Sequence, residues 1–463
     1  MTHRTQTTDL RLTARFERDQ ERTYKHVPFE VPAGVEQLHI SIAYNNRIGS
    51  SPMLTGGNTL DIGLFDAQGI ASGGPGLRGW SGSERTEITI DCDWATPPYR
   101  AGELSPGTWH LLLGAYKVDI TGLDVEITVS LGTTHPRPEA PAWPVLAELR
   151  RLPVPPAAEP GWYRGDLHMH TVYSDGDSYP HEVSAAAYVN GLDFYGITDH
   201  NRAQSPVTLV PHGDGWPVLV PGVEVTTYAG HFNVWGTEGW YDFRDPTTAG
   251  LQAAVDAARA EGGLLSLNHP KPFGPPWDVP EVTGFDVIEA WNGWWGRLNN
   301  ISTSYWAERL NASDAATWPV GIGGSDTHKL GHADLGANPL NAARIGCPTL
   351  WIETADALSP AAVLDAIRAG RCFVSESPFG PQLYVRREGD EMIVRIVGAE
   401  GDALLEVGPH GCLGAGAIKE RDVTKRWSIA DFIADPDVPF VRFEIHTPTG
   451  GVRALSNPVW LEP

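Results

Sequence analysis

Positive charge and cysteine are what this sequence has little of. Its 463 residues hold 34 Lys and Arg against 57 Asp and Glu, a formal net charge of −23. A surface of that sign repels phosphate backbones, which argues against a long nucleic-acid partner and leaves room for a small anion in a locally positive pocket. The four cysteines, Cys92, Cys347, Cys372 and Cys412, stand far apart with no CxxC spacing, so a disulfide-rich scaffold is excluded. No run of about 18 apolar residues marks a membrane span. The opening MTHRTQTTDL has no apolar core of the signal-peptide kind. Internal repeats and low-complexity tracts are missing too. What remains is the expectation of a soluble, reduced, cytoplasmic protein, long enough for two or three domains. Nothing in the sequence marks an oligomeric state.

The chain changes rhythm three times. In residues 1–134, short alternating runs such as LHISIAY, TLDIGLFD and TWHLLLGAYKV are split by Gly, Pro, Asn and Asp, the pattern of a β-sandwich. Residues 135–160 are proline-rich and read as a semi-rigid linker holding a short helix between two extended pieces. From 161 to 372, apolar strands (WYRGDLH, LDFYGIT, PVLVPGVEV, FNVWG, LLSLNH, DVIEAW, PVGIGG, TLWIE) alternate with amphipathic helices (HEVSAAAYVN, TTAGLQAAVDAARAE, STSYWAERLN, SPAAVLDAIRAG). That alternation predicts an α/β fold with a parallel barrel or sheet. Residues 373–463 turn β-rich again and predict a small C-terminal β-domain.

The segment GDLHMHTVYSDGD places His168 and His170 at the end of the first of these α/β strands. Residues i and i+2 of a strand point to one side, so an HxH pair aims two imidazoles at one point, as a shared metal requires. Ionisable residues recur at the other strand ends: Asp199 and His200 after LDFYGIT, Glu224 in PVLVPGVEV, His231 before FNVWG, His269 after LLSLN, and Asp326 and His328 in GGSDTH. In an α/β barrel, such strand ends form the active site. Imidazole and carboxylate without thiolate suit Zn, Mn or Fe. A lone histidine is more often a surface or core residue, and His231 alone divides evenly between the two readings. The strand-end set as a whole is hard to assign to chance. His181, His212 and His332 fall on helix or loop positions and are read as ordinary residues.

The blocks GDLHMHTVYSDG, GITDHN, PGVEVTTYAGHFNVWG, SLNHP and GGSDTH resemble the polymerase-and-histidinol-phosphatase (PHP) superfamily of metallohydrolases, and within it the carbaryl-hydrolase-like branch. The resemblance spans residues 161 to 370 and, more loosely, the tail LSNPVWLEP. It implies a distorted seven-stranded barrel holding two or three divalent metals. On that resemblance His168 and His170 bind a first metal completed by Glu224 and Asp326. Glu224 bridges to a second held by His231 and His269, and Asp175, His200 and His328 hold a third. Some relatives have His where Asp175 stands, which adds negative charge at the third position.

The expected chemistry follows from the metals. Water shared by two divalent cations deprotonates near neutral pH and becomes a nucleophile, and the cations neutralise charge developing on a substrate oxygen. The expectation is hydrolysis of a small ester, with phosphate first. An imidazole or metal-bound water protonates the leaving group, and turnover rests on His170, Glu224 and Asp326. Asp199 either orients a neighbouring ligand histidine or caps the following helix. Lys271 in NHPKP is placed to meet a phosphate. Arg202, Arg297 and Lys329 are weaker versions of the same idea, and because most single Lys or Arg residues are solvated surface, that reading is preferred for these three. Trp291, Trp294 and Trp295, with Trp277, either wall an apolar pocket or pack under a loop. A tryptophan-lined mouth favours the alternative substrate, an aryl carbamate or carboxylic ester. A third alternative is a non-catalytic metal-binding module.

Overall fold

The structure is a computed structural model describing residues 8–132, 134–272, 276–330, 344–433 and 437–461. His332 and the last two residues of the LSNPVWLEP tail lie outside that set.

Eight strands come first: β1 (Thr8–Phe16), β2 (Tyr24–Val31), β3 (Gln37–Tyr44), β4 (Thr59–Phe65), β5 (Leu77–Gly82), β6 (Glu87–Asp91), β7 (Gly107–Lys117) and β8 (Leu123–Leu131). They form two antiparallel sheets, ordered β1-β8-β3-β6 and β2-β7-β4-β5. In β8, buried Leu123, Val125, Ile127, Val129 and Leu131 alternate with more exposed partners, the period-2 pattern of a strand with one face on a core. That core is shared by both sheets: Leu38 and Ile40 of one meet Leu60, Ile62 and Trp109 of the other. In the proline-rich stretch the expected helix is only a single 3-10 turn, Leu146–Glu148, since the eight residues between Pro144 and Pro153 are too short a run to offset helix nucleation.

The second part comprises β9 (Trp162–Asp166), α1 (Pro180–Val189), β10 (Phe194–Ile197), β11 (Val218–Thr227), β12 (Gly230–Trp235), α2 (Thr248–Ala260), β13 (Leu264–Leu267), β14 (Val287–Asn292), α3 (Asn299–Asn311) and β15 (Val320–Gly324). The ends of α2 have local causes. The Thr247 side chain accepts from Gly250 N at the start of α2, and the helix gives out at Gly262, whose φ of 84° few other residues adopt. The seven strands pair in sequence order from β9 to β15. A parallel bridge between Met169 and Thr327 then joins the segments that follow β9 and β15, the two edges of the array.

The fold is mixed α/β, with large sheets and few helices. The expectation of uniformly parallel strands is corrected at β12, which runs antiparallel to both β11 and β13. Only Tyr228 and Ala229 separate β11 from β12, too short a link for the crossover that parallel neighbours need. The sheet continues past β9 through β16 (Thr349–Glu353), which pairs β9 antiparallel, and then, beyond α4 (Pro360–Arg368), through β17 (Cys372–Ser375) into strands of the C-terminal part. A three-stranded sheet of Gln382–Glu388, Glu391–Val397 and Asp422–Ser428 completes that part. Among the described residues no helix is long and apolar enough to cross a membrane.

Candidate metal centre

The segments beyond β9 and β15 lie in register. His170 N donates to Thr327 O and Asp326 N to His168 O, both at 2.9 Å. Alternation then puts His168, His170, Asp326 and His328 on one side and buried Met169 in a separate apolar cluster. The second glycine of GGSDTH, Gly324, is required by close approach: a Cβ there would lie 2.6 Å from His168 Cβ and 2.7 Å from Glu289 Oε1. A second bridge aligns His200 with Glu224 at the ends of β10 and β11. His269 and Asp326 have φ of 28° and 55°, a left-handed backbone costly for residues other than glycine. Such strain gathers where surrounding structure fixes a functional geometry.

Glu224 is the hub. Its Oε1 lies 3.4 Å from His168 Nε2, 3.3 Å from His231 Nδ1 and 3.3 Å from His269 Nε2. Its Oε2 lies 3.4 Å from His170 Nε2 and 2.9 Å from His200 Nδ1. Asp326 Oδ1 is 3.2 Å from His170 Nε2, and Asp175 Oδ1 is 3.2 Å from His328 Nε2 and 3.4 Å from His200 Nε2. All nine candidate ligands thus converge. Among these nine, four groups have ligand atoms mutually within 4.8 Å: His170, Asp175, His200 and His328; His168, Glu224 and His269; His168, His170 and Asp326; and His200, Glu224 and His231. His168, His170, His200 and Glu224 each belong to two groups, so the clusters are contiguous.

Around these nine, side chains absent from the sequence reading fix orientation. Glu289 accepts from His168 Nδ1 at 2.9 Å, His269 N at 3.0 Å and Asn292 Nδ2 at 3.1 Å. A proton held on Nδ1 leaves the His168 Nε2 lone pair facing the cluster. His328 Nδ1 likewise donates to Asp326 O at 2.8 Å, and Asn268 Nδ2 donates to Glu224 Oε1 at 2.7 Å. Asp166 receives His168 N, Ser325 N and Gly346 N, and burial pushes its carboxyl up to about 6. A Glu within the apolar run DVIEAW was the available signal for Glu289, the same signal that singled out Glu224.

Asp199 neither touches a ligand nor caps a helix. It accepts from Thr171 N at 2.7 Å, Thr171 Oγ1 at 2.8 Å and Ser174 Oγ at 2.8 Å, pinning the turn that carries His170 and Asp175. The 3-10 turn Pro206–Leu209 is capped by Ser205 instead.

Electrostatically the centre is a frustrated assembly of bases and carboxylates. Burial, then the neighbouring His328 and His200, push His170 down to about 3. Burial opposes charge on His328 too, but Asp175 and Asp326 outweigh it and raise the imidazole to about 10. Glu224 and Asp326 are held well below the carboxylate range, against burial, by the imidazoles around them. Among the described residues, His168 Nε2, His170 Nε2, Asp175 Oδ1, Glu224 Oε2, both His231 nitrogens and His269 Nδ1 are buried with no hydrogen-bond partner. Orphaned buried polar atoms each cost free energy, and those that face one another here, His168 Nε2, His170 Nε2, His231 Nδ1 and Glu224 Oε2, suit a shared cation.

A cavity of about 410 Å³ opens on the array. Lys271 and Arg297 line it, as expected for the first and against expectation for the second. Lys271 is buried, donates to Asn292 O and Asn299 Oδ1 at 2.9 Å, and is pushed by burial down to about 8. Arg202 does not line the cavity: it is buried, donating to Gly222 O at 2.6 Å and Thr237 O at 3.2 Å. The tryptophan loop is elsewhere as well. Trp291 is fully buried in the core with Nε1 donating to Gly293 O, Trp295 packs edge-on against it, and Trp294 is 46% exposed away from the cavity lining. Trp277 packs on Phe285, and Lys329 is exposed outside the lining. The aromatic residues that do line it are Tyr24, Trp80, Tyr116 and Tyr228, three of them from the N-terminal sheets.

No family model matches the chain, and no curated protein matches it. Among solved structures, the fold is similar to a two-domain protein from Bacteroides vulgatus containing a predicted PHP-like metal-dependent phosphoesterase, at 19% identity and a TM-score of 0.38, covering 66% of this chain and 99% of that one. It is also similar to a protein from Bifidobacterium adolescentis provisionally named a metal-dependent phosphoesterase, at 16% identity and a TM-score of 0.25, covering 35% of this chain and 87% of that one. Both likenesses are faint, and the reading of the site rests on its own geometry.

Proposed function

We propose that the chain is a metal-dependent hydrolase of small phosphoesters, of PHP type, its seven-strand array a distorted barrel flanked by β-rich N- and C-terminal parts. The observation that carries this reading is the Glu224 hub, with its ring of buried imidazole and carboxylate atoms that have no protein partner. The donor set fits divalent cations: nitrogen and oxygen ligands, no thiolate, and, in His168 and His328, second ring nitrogens tied to Glu289 and to Asp326 O. His168, His170, Glu224 and Asp326 would hold one metal, Glu224, His231 and His269 a second, and Asp175, His200 and His328 a third, with Mn, Zn or Fe as candidates. Such cations, when bound, acidify water and polarise the oxygen under attack.

The chain's own residues would do the rest. Lys271 and Arg297 supply positive charge at the cavity wall in a protein of net charge −23, which favours an anionic ester such as phosphate over a neutral one. Lys271 is held against Asn292 O and Asn299 Oδ1, so its ammonium is fixed before substrate arrives. The tryptophan loop that favoured an aryl carbamate does not line the cavity, but Trp80, Tyr24 and Tyr116 do, so the choice of phosphate over that alternative rests on Lys271 and Arg297.

The test is hydrolysis of bis-p-nitrophenyl phosphate by protein stripped with chelator and reloaded with Mn, with Asp326→Ala as the blank. Activity that returns with metal and is missing in Asp326→Ala supports the reading. Metal-independent turnover, or equal turnover in the variant, contradicts it. Intact metal binding with no turnover of any ester would favour a binding module.

A further inference from the structure

The cavity over the metal centre is built by two parts of the chain. Strands β11 and β12 bring Glu224 and His231, and the loops after β9, β10, β13, β14 and β15 bring the other candidate ligands, Lys271 and Arg297. The facing wall comes from the N-terminal sheets, which reach the metal centre through a small set of contacts. Tyr228, in the β11–β12 turn, donates its hydroxyl to Asp61 of β4 at 2.8 Å in a buried bond. Its ring stacks on Tyr24 of β2, with centroids 4.9 Å apart and planes 6° apart, and on Tyr116 of β7 at 5.6 Å and 22°. Gly114 of β7 makes room for this stack: a Cβ there would lie 2.3 Å from the Tyr228 hydroxyl. Trp80 of β5 stands edge-on to His200 at 6.4 Å and to Phe243 at 5.6 Å. The wall therefore ends within one ring of the candidate metal ligands.

Its chemistry differs from that of the opposite residues. Among the described lining residues, both cations, Lys271 and Arg297, come from the metal-centre loops. The N-terminal wall offers flat rings (Trp80 and Tyr116), hydroxyls (Ser81 and Ser83) and the carboxylates Asp61 and Glu84, with no cation. Tyr116 is half-buried and Glu84 exposed, so both have surface left for a ligand. Rings favour a planar apolar group. The exposed Glu84 carboxylate disfavours a second anion there, while Asp61 is buried against the Tyr228 hydroxyl.

We infer that the N-terminal sheets are the specificity wall of the site, receiving the part of the substrate beyond the scissile bond, and that this part is planar and carries no negative charge. Tyr116 is the residue that senses the ring and Glu84 the one that rejects a second anion. The inference rests on the phosphoester reading. It goes beyond it by giving the N-terminal part a role and excluding bis-anionic substrates such as nucleoside diphosphates.

The test uses the full-length Mn-loaded protein and three non-hydrolysable probes: methylphosphonate, phenylphosphonate and 4-carboxyphenylphosphonate, with binding read by calorimetry. In the wild type, phenylphosphonate is expected to bind about tenfold more tightly than methylphosphonate, a gap that one ring contact supplies. Tyr116→Ala should close most of that gap and leave methylphosphonate affinity unchanged, while Tyr116→Phe should keep it. The added carboxylate of the third probe should weaken binding, and Glu84→Gln should restore it. Equal affinity for methyl and phenyl probes, or a Tyr116→Ala loss shared by both, overturns the wall and leaves the metal centre standing. Failure of methylphosphonate to bind the Mn-loaded wild type overturns the phosphoester reading, and this inference with it.

Discussion

Replacing Glu289 with Gln changes one atom type in a buried carboxylate that touches no substrate. In the structure, Oε1 receives His168 Nδ1, while Oε2 receives both His269 N and Asn292 Nδ2. An amide has one oxygen, so it can serve one side only. With the oxygen turned to the two donors on the Oε2 side, the amide NH2 faces His168 Nδ1, and the proton is no longer fixed on that nitrogen. The tautomer that presents Nε2 to the cluster loses its support. Removing such a partner of a metal-bound histidine typically weakens metal affinity by about 10- to 100-fold, or roughly 1.4–2.8 kcal/mol. The unpaired donor left behind costs the metal-free fold a further ~1–3 kcal/mol. The assay is competition for Zn against a chromophoric chelator at pH 7, run with a thermal melt of the stripped protein. An affinity within about twofold of the wild type would refute the idea that Glu289 holds the His168 tautomer.

Other consequences follow from contacts away from the ligands. Gly114→Ala puts a methyl into the Tyr228 hydroxyl and the Tyr24 ring, so overpacking should lower stability by about 1–3 kcal/mol; an unchanged melting temperature would mean the docking of the N-terminal sheets is loose. Arg202→Met strips two buried carbonyls of their donor and should cost about 1–3 kcal/mol with KM unchanged; a raised KM at full stability would return Arg202 to the substrate. Burial pushes Asp61 up to about 7 although Tyr228 donates to it. The folded state then holds this proton more tightly than the unfolded state, so in stripped protein the Asp61 contribution to stability falls as pH rises from about 4 to about 7 and levels off above, by up to about 4 kcal/mol. Beside the contributions of Asp166 and His170 in the same range, Asp61→Asn should remove this component, so the difference between wild-type and variant melts should follow that curve; a difference independent of pH would place the titration elsewhere.

How much of this could be read from the sequence depended on distance along the chain. Strand and helix positions between 161 and 372 follow from local periodicity and caps such as Thr247 and Ser359. The HxH and DxH spacings are local as well, because a strand alternates, and the structure places these pairs side by side. The direction of β12 is set by its two-residue link to β11, a feature that strand periodicity does not carry. Tryptophans after a strand were counted without any indication of which way they face; Trp291 points into the core, while Trp80, more than 80 residues from the first candidate ligand, reaches the cavity. Arg202 beside His200 looked like a substrate contact, yet its side chain satisfies backbone carbonyls. Contacts such as Tyr228 with Asp61 join residues 167 positions apart and leave no mark in either local pattern.

The measurement that tests the central claim most directly is the metal content of the purified chain after equilibration with Mn and with Zn, set beside Glu224→Gln. If Glu224 bridges adjacent cations, elemental analysis should find about two or three equivalents in the wild type and at most about one in the variant. A wild type without bound metal, or a variant loaded as fully as the wild type, would contradict a metal centre organised around Glu224.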